Sequence, residues 1–589
     1  MPTNPHLILC NGASPKARRP KEWDTHKPQR LSTFGRSANV TLKITDLTDR
    51  MVEKLPPVVH DLMELAALVY AADQSCQRTP GKTPDWGEKW HRTFRFEMLV
   101  REPDFWNQTD IGNSLTDTLC FLSGDNYEFD FKKQDNPPQF PEYLEFNQAT
   151  GLPDPVDRVI LFSGGLDSLA GAVEDILVNR RRVALVSHKP VDHLAVKQRD
   201  LVAEISRRAR DPKLAPIHFP VKANKIGDLS LEYSQRSRSF LYASMAASVA
   251  RYFGLDQIHF YENGIVSVNL PLSQQEVGTR ATRTTHPQTL ARFSRIFSQV
   301  MGVPFEVVNE FFWETKQDVL ERLKRSSHVD LARNTLSCTR TRGFTNASPH
   351  CGVCSQCLSR RIAALGAAYG DNDPASGYRS DVLLAARTKD ANRILAERFV
   401  GAALEIEQMN STEEFNQRFA GEMGRIYPHI DLPSDVAAAK LFDLHHRHAR
   451  QVGAVMASQM ALHADERRRG RLADTCMLNY AFDAGRPAES RSTKAALVLE
   501  EQSLRLRISI GDPGMPSMVD GKAKRPLTDA ERAVVGALLE AGDAGLAKDS
   551  LEKVRSSARR ILKELRKDAD WARAILMPGR TNARYRLRA

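Results

Sequence analysis

Residues 159–169 read VILFSGGLDSL, and the fold of the chain turns on them. Val159, Ile160, Leu161 and Phe162 form an apolar run of the length of a buried strand, while SLAGAVEDILVNR, from Ser168 onward, carries a helical pattern. Between them stands Ser163-Gly164-Gly165-Leu166-Asp167-Ser168. A strand, a glycine turn and a helix in succession predict a phosphate site. Glycine lacks Cβ, so consecutive backbone N–H groups can turn inward, and the helix start adds its positive dipole end. Ser163 and Ser168 can donate hydroxyls to the same anion. No Gly-Lys-Ser/Thr follows, so this is not a Walker A loop. The competing reading is a turn that only joins strand to helix.

Downstream, RRVALVSHKP and PIHFPVKAN read as strands around a helix in DHLAVKQRDLVAEISRRAR. That alternation predicts a parallel sheet with right-handed crossovers, whose ligands bind at the C-terminal strand ends. The helix SQRSRSFLYASMAASVARYFG is apolar at Phe240, Leu241, Met245 and Val249 but starts with Arg236 and Arg238, where carboxylates are preferred. A bound anion or a solvated helix start would account for them. The strand QIHFY breaks at Glu262-Asn263-Gly264, where a ligand could approach the backbone. In the loop TRATRTTH, Arg280, Arg283 and His286 form either a carboxylate or phosphate clamp or a solvated basic loop. Lys316 sits near a helix start, again suited to an anion.

Four of the eight cysteines crowd into Cys338, Cys351, Cys354 and Cys357. This spacing suits tetrahedral zinc with a complete thiolate shell and no open position, hence a structural metal. Reduced cysteines without metal, or an iron–sulfur cluster, are the alternatives.

The rest of the 589 residues divides by pattern. Residues 1–150 are expected to form a small α+β domain. It would comprise an irregular Pro/Arg-rich arm over the first forty residues, a helix in PPVVHDLMELAALVYAAD with one face to bury, and strands in HRTFRFEMLV and YEFDFKK. A proline-rich linker, Pro137 to Pro155, leads to the α/β domain of 157–370. Residues 375–510 read as helical. Adjacent positions on a helix face different ways, so His445, His446 and His448 are core or solvated histidines before they are metal ligands. A Pro/Lys-rich linker, DPGMPSMVDGKAKRP, precedes three helices and a basic β-wing over 521–589, a pattern that resembles a winged helix. This last segment has 17 Lys/Arg against 9 Asp/Glu, a net +8 of the chain's +11. Arg559, Arg560, Lys563, Arg566 and Lys567 would give its third helix a basic face, suited to DNA or to an acidic partner. No stretch is long and apolar enough to span a bilayer, so no membrane contact and a cytoplasmic location are expected.

Ser-Gly-Gly-x-Asp-Ser resembles the PP-loop of the ATP pyrophosphatases. Paired with CGVCSQCLSRR, it is similar to the QueC family of 7-cyano-7-deazaguanine synthases over residues 157–366, about a third of the chain. The resemblance implies an adenine-nucleotide alpha-hydrolase-like core and a ligase releasing AMP and pyrophosphate, with ATP, Mg2+ and a structural Zn2+. It places Ser163, Gly164, Gly165, Leu166, Asp167 and Ser168 on ATP, and Asp167, Lys316 and Arg238 in catalysis. Glu262, Asn263, Arg280, Arg283 and His286 are assigned to the deazaguanine substrate, and the four cysteines to zinc. The carboxylate of 7-carboxy-7-deazaguanine would be adenylated and captured by an amine. Two features depart from the family: its Tyr-Pro-Asp-Cys-Arg segment is replaced here by the ENG and TRATRTTHP segments, and large regions flank the core. The enlargement resembles the QueC-like (QatC-type) proteins of bacterial anti-phage systems. For these the resemblance implies amide formation on the N-terminal amine of a partner protein from the same operon. Two rivals stand beside it: a synthase of free 7-cyano-7-deazaguanine using ammonia, and a nucleic-acid-binding or nucleotide-sensing subunit with a vestigial ATP site.

Overall fold

Strand β1 (Pro5–Cys10) buries Leu7, Ile8, Leu9 and Cys10, and pairs in parallel with β2 (Gln29–Leu31). The first forty residues are therefore not an irregular arm: four successive buried side chains put β1 inside a sheet. Strand β3 (Val40–Leu47) leaves this sheet. After helix α1 (Pro57–Ser75), β4 (Thr93–Val100) pairs on the other side of β1. Helix α2 (Thr109–Ser123) then leads to β5 (Asn126–Lys133), completing a parallel sheet in the order β2-β1-β4-β5.

The second sheet has seven strands, in the order β11-β10-β7-β8-β9-β3-β6. It is built from β3, β6 (Leu144–Phe146), β7 (Arg158–Leu161), β8 (Val183–His188), β9 (Ile217–Lys225), β10 (Gln257–Phe260) and β11 (Glu306–Asn309). The five strands β7 to β11 are mutually parallel, and β3 joins β9 antiparallel. The connecting helices are α3 (Leu166–Val173), α4 (Asp192–Ala209), α5 (Arg238–Tyr252), α6 (Gly264–Val268), α7 (Pro287–Met301) and α8 (Lys316–Arg325).

A self-contained N-terminal domain is not what forms. Two of its strands complete the central sheet, and one apolar core runs from Ile8, Val59 and Phe94 to Val159, Phe219 and Phe240. The reason lies in α1, which is buried from Val59 to Ser75 and not along one face. A helix covered all round needs packing on both sides. The small sheet supplies one side, and α5 and β9 the other.

Beyond α8 the chain is helical: α9 (Ser355–Gly366), α10 (Asp390–Glu407), α11 (Thr412–Arg418), α12 (Ala420–Ile426), α13 (Ser434–Leu462) and α14 (Met477–Asp483). Their core is continuous with the four cysteines, through Leu358, Ile362, Val400, Leu441 and Val452.

The computed structural model describes residues 4–15, 23, 26–35, 38–47, 55–78, 91–135, 144–146, 155–188, 192–225, 232, 236–271, 283–339 and 348–483. It also describes 508–509, 516–519, 522–541, 546–547, 557–565, 575–576 and 584–587. Most of the expected 137–155 linker lies outside them. Residues 1–484 form one compact unit and 485–589 another. Among the described residues no helix is long and apolar enough to cross a membrane.

In the C-terminal unit the expected linker is instead an antiparallel pair, β13 (Pro516–Val519) and β14 (Lys522–Pro526), with β12 (Ile508–Ser509) beside β13. Asp520-Gly521 between these short runs is a hairpin signal. Helix α15 (Asp529–Ala541) starts with a reciprocal Thr528–Glu531 capping box. Leu546 and Ala547 form strand β15. Helix α16 (Ala558–Leu565) buries Ala558, Leu562 and Leu565 and exposes Arg560 and Lys563. Strands β16 (Ile575–Leu576) and β17 (Arg584–Leu587) complete an antiparallel sheet, β15-β17-β16. Arg566 and Lys567 lie outside the described residues, as does the Arg559 side chain.

Candidate functional site

The turn after β7 is shaped by its glycines. Gly164 has a φ of +78°, and a Cβ there would lie 3.1 Å from Gln198 Cγ, so a side chain would be both strained and crowded. Gly165 sits at the N-cap of α3. Its N–H donates to Ser163 Oγ at 3.2 Å, and the Ser163 and Ser168 hydroxyls lie 3.0 Å apart. Two bonds fix the turn from outside: Gln198 Nε2 donates to the Ser163 carbonyl at 3.1 Å, and the Leu336 N–H donates to the Gly164 carbonyl at 3.0 Å. Leu336 is two residues before Cys338, so the cysteine segment runs along the turn.

Asp167, in the first turn of α3, is the centre of a buried polar cluster. Its Oδ2 accepts from Lys316 Nζ at 2.8 Å, from Asn263 Nδ2 at 2.8 Å and from the Asn263 N–H at 3.2 Å. Its Oδ1 is buried and takes no bond from these donors. Glu262 faces it. Burial, and then the Asp167 carboxylate, push the Glu262 pKa up to about 8, against the pull of Lys316 and Arg238. The backbone of Glu262 is held by Asn309, which accepts from its N–H and donates to its carbonyl, both at 2.9 Å. Asn263 Oδ1 caps α6 by accepting from the Val266 N–H.

The cluster thus gathers Asp167, Glu262, Asn263 and Lys316 from three strand ends, those of β7, β10 and β11. Arg238 is exposed at the start of α5 and acts electrostatically on Glu262. The negative charge that this helix start lacks in sequence comes from α1. Asp73 Oδ2 accepts from the Ser237 N–H at 3.0 Å and from Ser237 Oγ at 2.9 Å.

Other expected residues go elsewhere. Arg283 donates to the Phe121 carbonyl at 2.7 Å, and its guanidinium lies 4.5 Å from the Phe121 ring centroid. His286 is the N-cap of α7, accepting from the Gln288 N–H, and burial followed by Arg283 lowers its pKa to about 3. A neutral, capping imidazole and a guanidinium bonded to the Phe121 carbonyl hold the loop on α2. Arg280 lies outside the described residues.

The cysteine sulfurs all lie within 4.8 Å of one another, with separations of 3.9 Å (Cys338–Cys354), 3.8 Å (Cys351–Cys357) and 3.4 Å (Cys354–Cys357). A tetrahedron with Zn–S bonds of about 2.3 Å has edges of about 3.8 Å, so the set fits one zinc ion with no vacant corner. Gly352, at φ +77°, makes the approach possible, since a Cβ there would lie 1.7 Å from the Ser380 carbonyl oxygen. Among the described residues these cysteines are the sole group of metal-binding side chains so arranged. His445 and His446 bond the Leu441 and Glu407 carbonyls.

Several contributors carry no motif. Gly171 is required because a Cβ would sit 2.0 Å from the Tyr261 ring. Tyr261 in turn donates to Asp175, whose carboxylate also takes Arg181, fixing the strand end that presents Glu262. No family model matches the chain, and no curated protein matches it.

Proposed function

We propose that the chain is an ATP-dependent ligase of QueC-like type, which adenylates a deazaguanine carboxylate and passes the acyl group to an amine. The observation that carries this reading is the convergence of Lys316, Asn263 and Glu262 on Asp167, directly behind a glycine turn with inward hydroxyls.

In this reading the turn and the start of α3 bind the phosphates of ATP through backbone N–H groups and the Ser163 and Ser168 hydroxyls. A substrate carboxylate oxygen forms a bond to the α-phosphorus as the bond from that phosphorus to the pyrophosphate oxygen breaks. Lys316, and Arg238 at the rim, neutralise charge gathering on the leaving pyrophosphate. The amine then attacks the acyl carbon, the bond to AMP breaks, and the amine gives up a proton. A magnesium ion would supply further charge neutralisation. Asp167 Oδ1 would hold it, joined by the Glu262 carboxylate once that group gives up its proton. The four cysteines would hold a structural zinc beside the turn.

We favour a protein N-terminal amine as acceptor, in anti-phage defence, over free ammonia. The test is AMP formation from Mg-ATP and 7-carboxy-7-deazaguanine, with and without the neighbouring gene's product. AMP and a mass gain at that protein's N-terminus support conjugation, and a nitrile formed with ammonium alone supports the free synthase. A second reading concerns 521–589: the exposed Arg560 and Lys563 on α16 suit DNA phosphates. Salt-sensitive retention on duplex DNA, weakened by Arg560→Glu with Lys563→Glu, would support it.

A further inference from the structure

Lys316 is the first residue of α8, so the aim of its side chain depends on how that helix start is held. A capping box holds it from within: Asp318 N–H donates to Thr315 Oγ1 at 3.1 Å, and Thr315 N–H donates to Asp318 Oδ2 at 2.9 Å. Asp318 also takes bonds from the helical region. Arg447 Nε donates to Asp318 Oδ2 at 3.1 Å, Gln451 Nε2 donates to Asp318 Oδ1 at 2.9 Å, and Arg447 Nη2 donates to the Trp313 carbonyl at 2.7 Å. Arg447 and Gln451 are four residues apart on α13 and so share a face.

The same helix backs the segment that carries Asn263. A Cβ on Gly264 would lie 2.6 Å from Leu444 Cδ2 and 1.9 Å from the Phe312 carbonyl oxygen, and the Gly264 N–H donates to the Glu314 carbonyl at 2.8 Å. The two segments that bring Asn263 and Lys316 to Asp167 are therefore pressed together on α13.

We propose that Arg447 and Gln451 are positioning residues for the candidate active site, holding the start of α8 through Asp318 so that Lys316 Nζ stays on Asp167. The helical region is then part of the catalytic unit and not an appendage to it. This inference rests on the role given to Lys316 above, and its test has one arm independent of turnover.

In that arm the Arg447→Ala/Gln451→Ala variant and the wild type are acetylated under native conditions with an amine-reactive ester, and labelling is read by mass spectrometry. Lys316 is buried and ion-paired, whereas Lys324, further along the same helix, is exposed apart from the bond of its amine to the Ala367 carbonyl and serves as the control. The expected result is labelling of Lys316 faster by about tenfold, the scale of losing charge-assisted hydrogen bonds, with Lys324 unchanged. Unchanged Lys316 labelling overturns the proposal, and so does faster labelling of both lysines, which marks general loosening. Gln451→Ala alone, which removes one bond to the Asp318 carboxylate and leaves Arg447 in place, gives the same comparison if the double variant does not fold. In the second arm the two substitutions lower AMP formation about tenfold in the wild-type background and change it no further in Lys316→Ala. Equal losses in both backgrounds contradict action through Lys316. A wild type that forms no AMP sinks the ligase reading alone, while the labelling arm still decides the positioning.

Discussion

Two buried charge clusters of this protein, built from the same kinds of side chain, behave in opposite ways. In the first, Asp73 and Asp125 meet Arg78 and Arg92, two charges of each sign. Every carboxylate oxygen has a donor: Arg92 and Ser237 for Asp73, and Arg78 and Arg92 for Asp125. Burial alone would raise the Asp125 pKa, yet Arg92 and Arg78 outweigh it and hold the carboxyl below its ordinary range. In the second, Asp167 and Glu262 share Lys316 at close range. One oxygen of Asp167 takes no bond from Lys316 or Asn263, and Glu262, which hydrogen-bonds to Asp167 when it carries a proton, is pushed up to about 8. A cluster whose carboxylate oxygens are all matched, though Arg92 Nε is not, is closed to cations and holds elements together, whereas one with a carboxylate oxygen unmatched by its donors is open to a cation or a proton. Buried groups left short of partners are where function concentrates.

The comparison is broken most forcefully at Asp167. Asp167→Ala is expected to reduce AMP formation by at least about 100-fold. The melting temperature should change little, because loss of the Asp167 charge removes one of the causes that keep Glu262 protonated and lets it ionise as counter-ion to Lys316. Arg92→Ala should do the reverse. It leaves two buried carboxylates to Arg78 and is expected to cost about 3–5 kcal/mol in urea unfolding, with activity per folded molecule retained. If both substitutions act alike, the contrast between the clusters is wrong.

Cys354→Ser is expected to release zinc and lower thermal stability by a smaller margin, measured by metal content and melting. Because Leu336 bonds the Gly164 carbonyl, the variant should also bind Mg-ATP more weakly.

The mildest effect concerns pH. Glu262 keeps its proton in the fold up to about 8, while in the unfolded chain it ionises near 4.5. The folded state therefore binds more protons between those values, and this group's contribution to stability declines as pH rises through that window. Glu262→Gln should raise the urea midpoint at pH 8.5 and leave it nearly unchanged at pH 5. No change at pH 8.5 would mean that the fold does not hold the Glu262 pKa above its unfolded value.

The parts of this account legible in the sequence are those whose signal is local. The strand, turn and helix around Ser163–Ser168 announce themselves through an apolar run, paired glycines and a helical pattern in sequence. The cysteine set is legible from spacing, because tetrahedral coordination needs only four thiolates within reach. What was hidden is non-local. Strand β3 joins β9 across some 170 residues, and nothing in VTLKITDL names its partner. Arg236 and Arg238 looked badly placed because Asp73, which compensates the helix start, lies more than 160 residues away. Arg283 and His286 have the chemistry of a clamp, and only the position of Phe121 shows them occupied with a helix. Arg447 and Gln451, amid a polar helix surface, carry no motif that singles them out.

In the proposed reaction the open cluster around Asp167 serves adenylate chemistry. It is tested most directly by mass spectrometry of purified protein given Mg-ATP, 7-carboxy-7-deazaguanine and an amine, either ammonium or the neighbouring gene's product, with Asp167→Ala alongside. If the open cluster serves adenylate chemistry, the wild type gives AMP and an amide or nitrile product and the variant gives neither. No AMP with either amine, or equal AMP from wild type and variant, would contradict it.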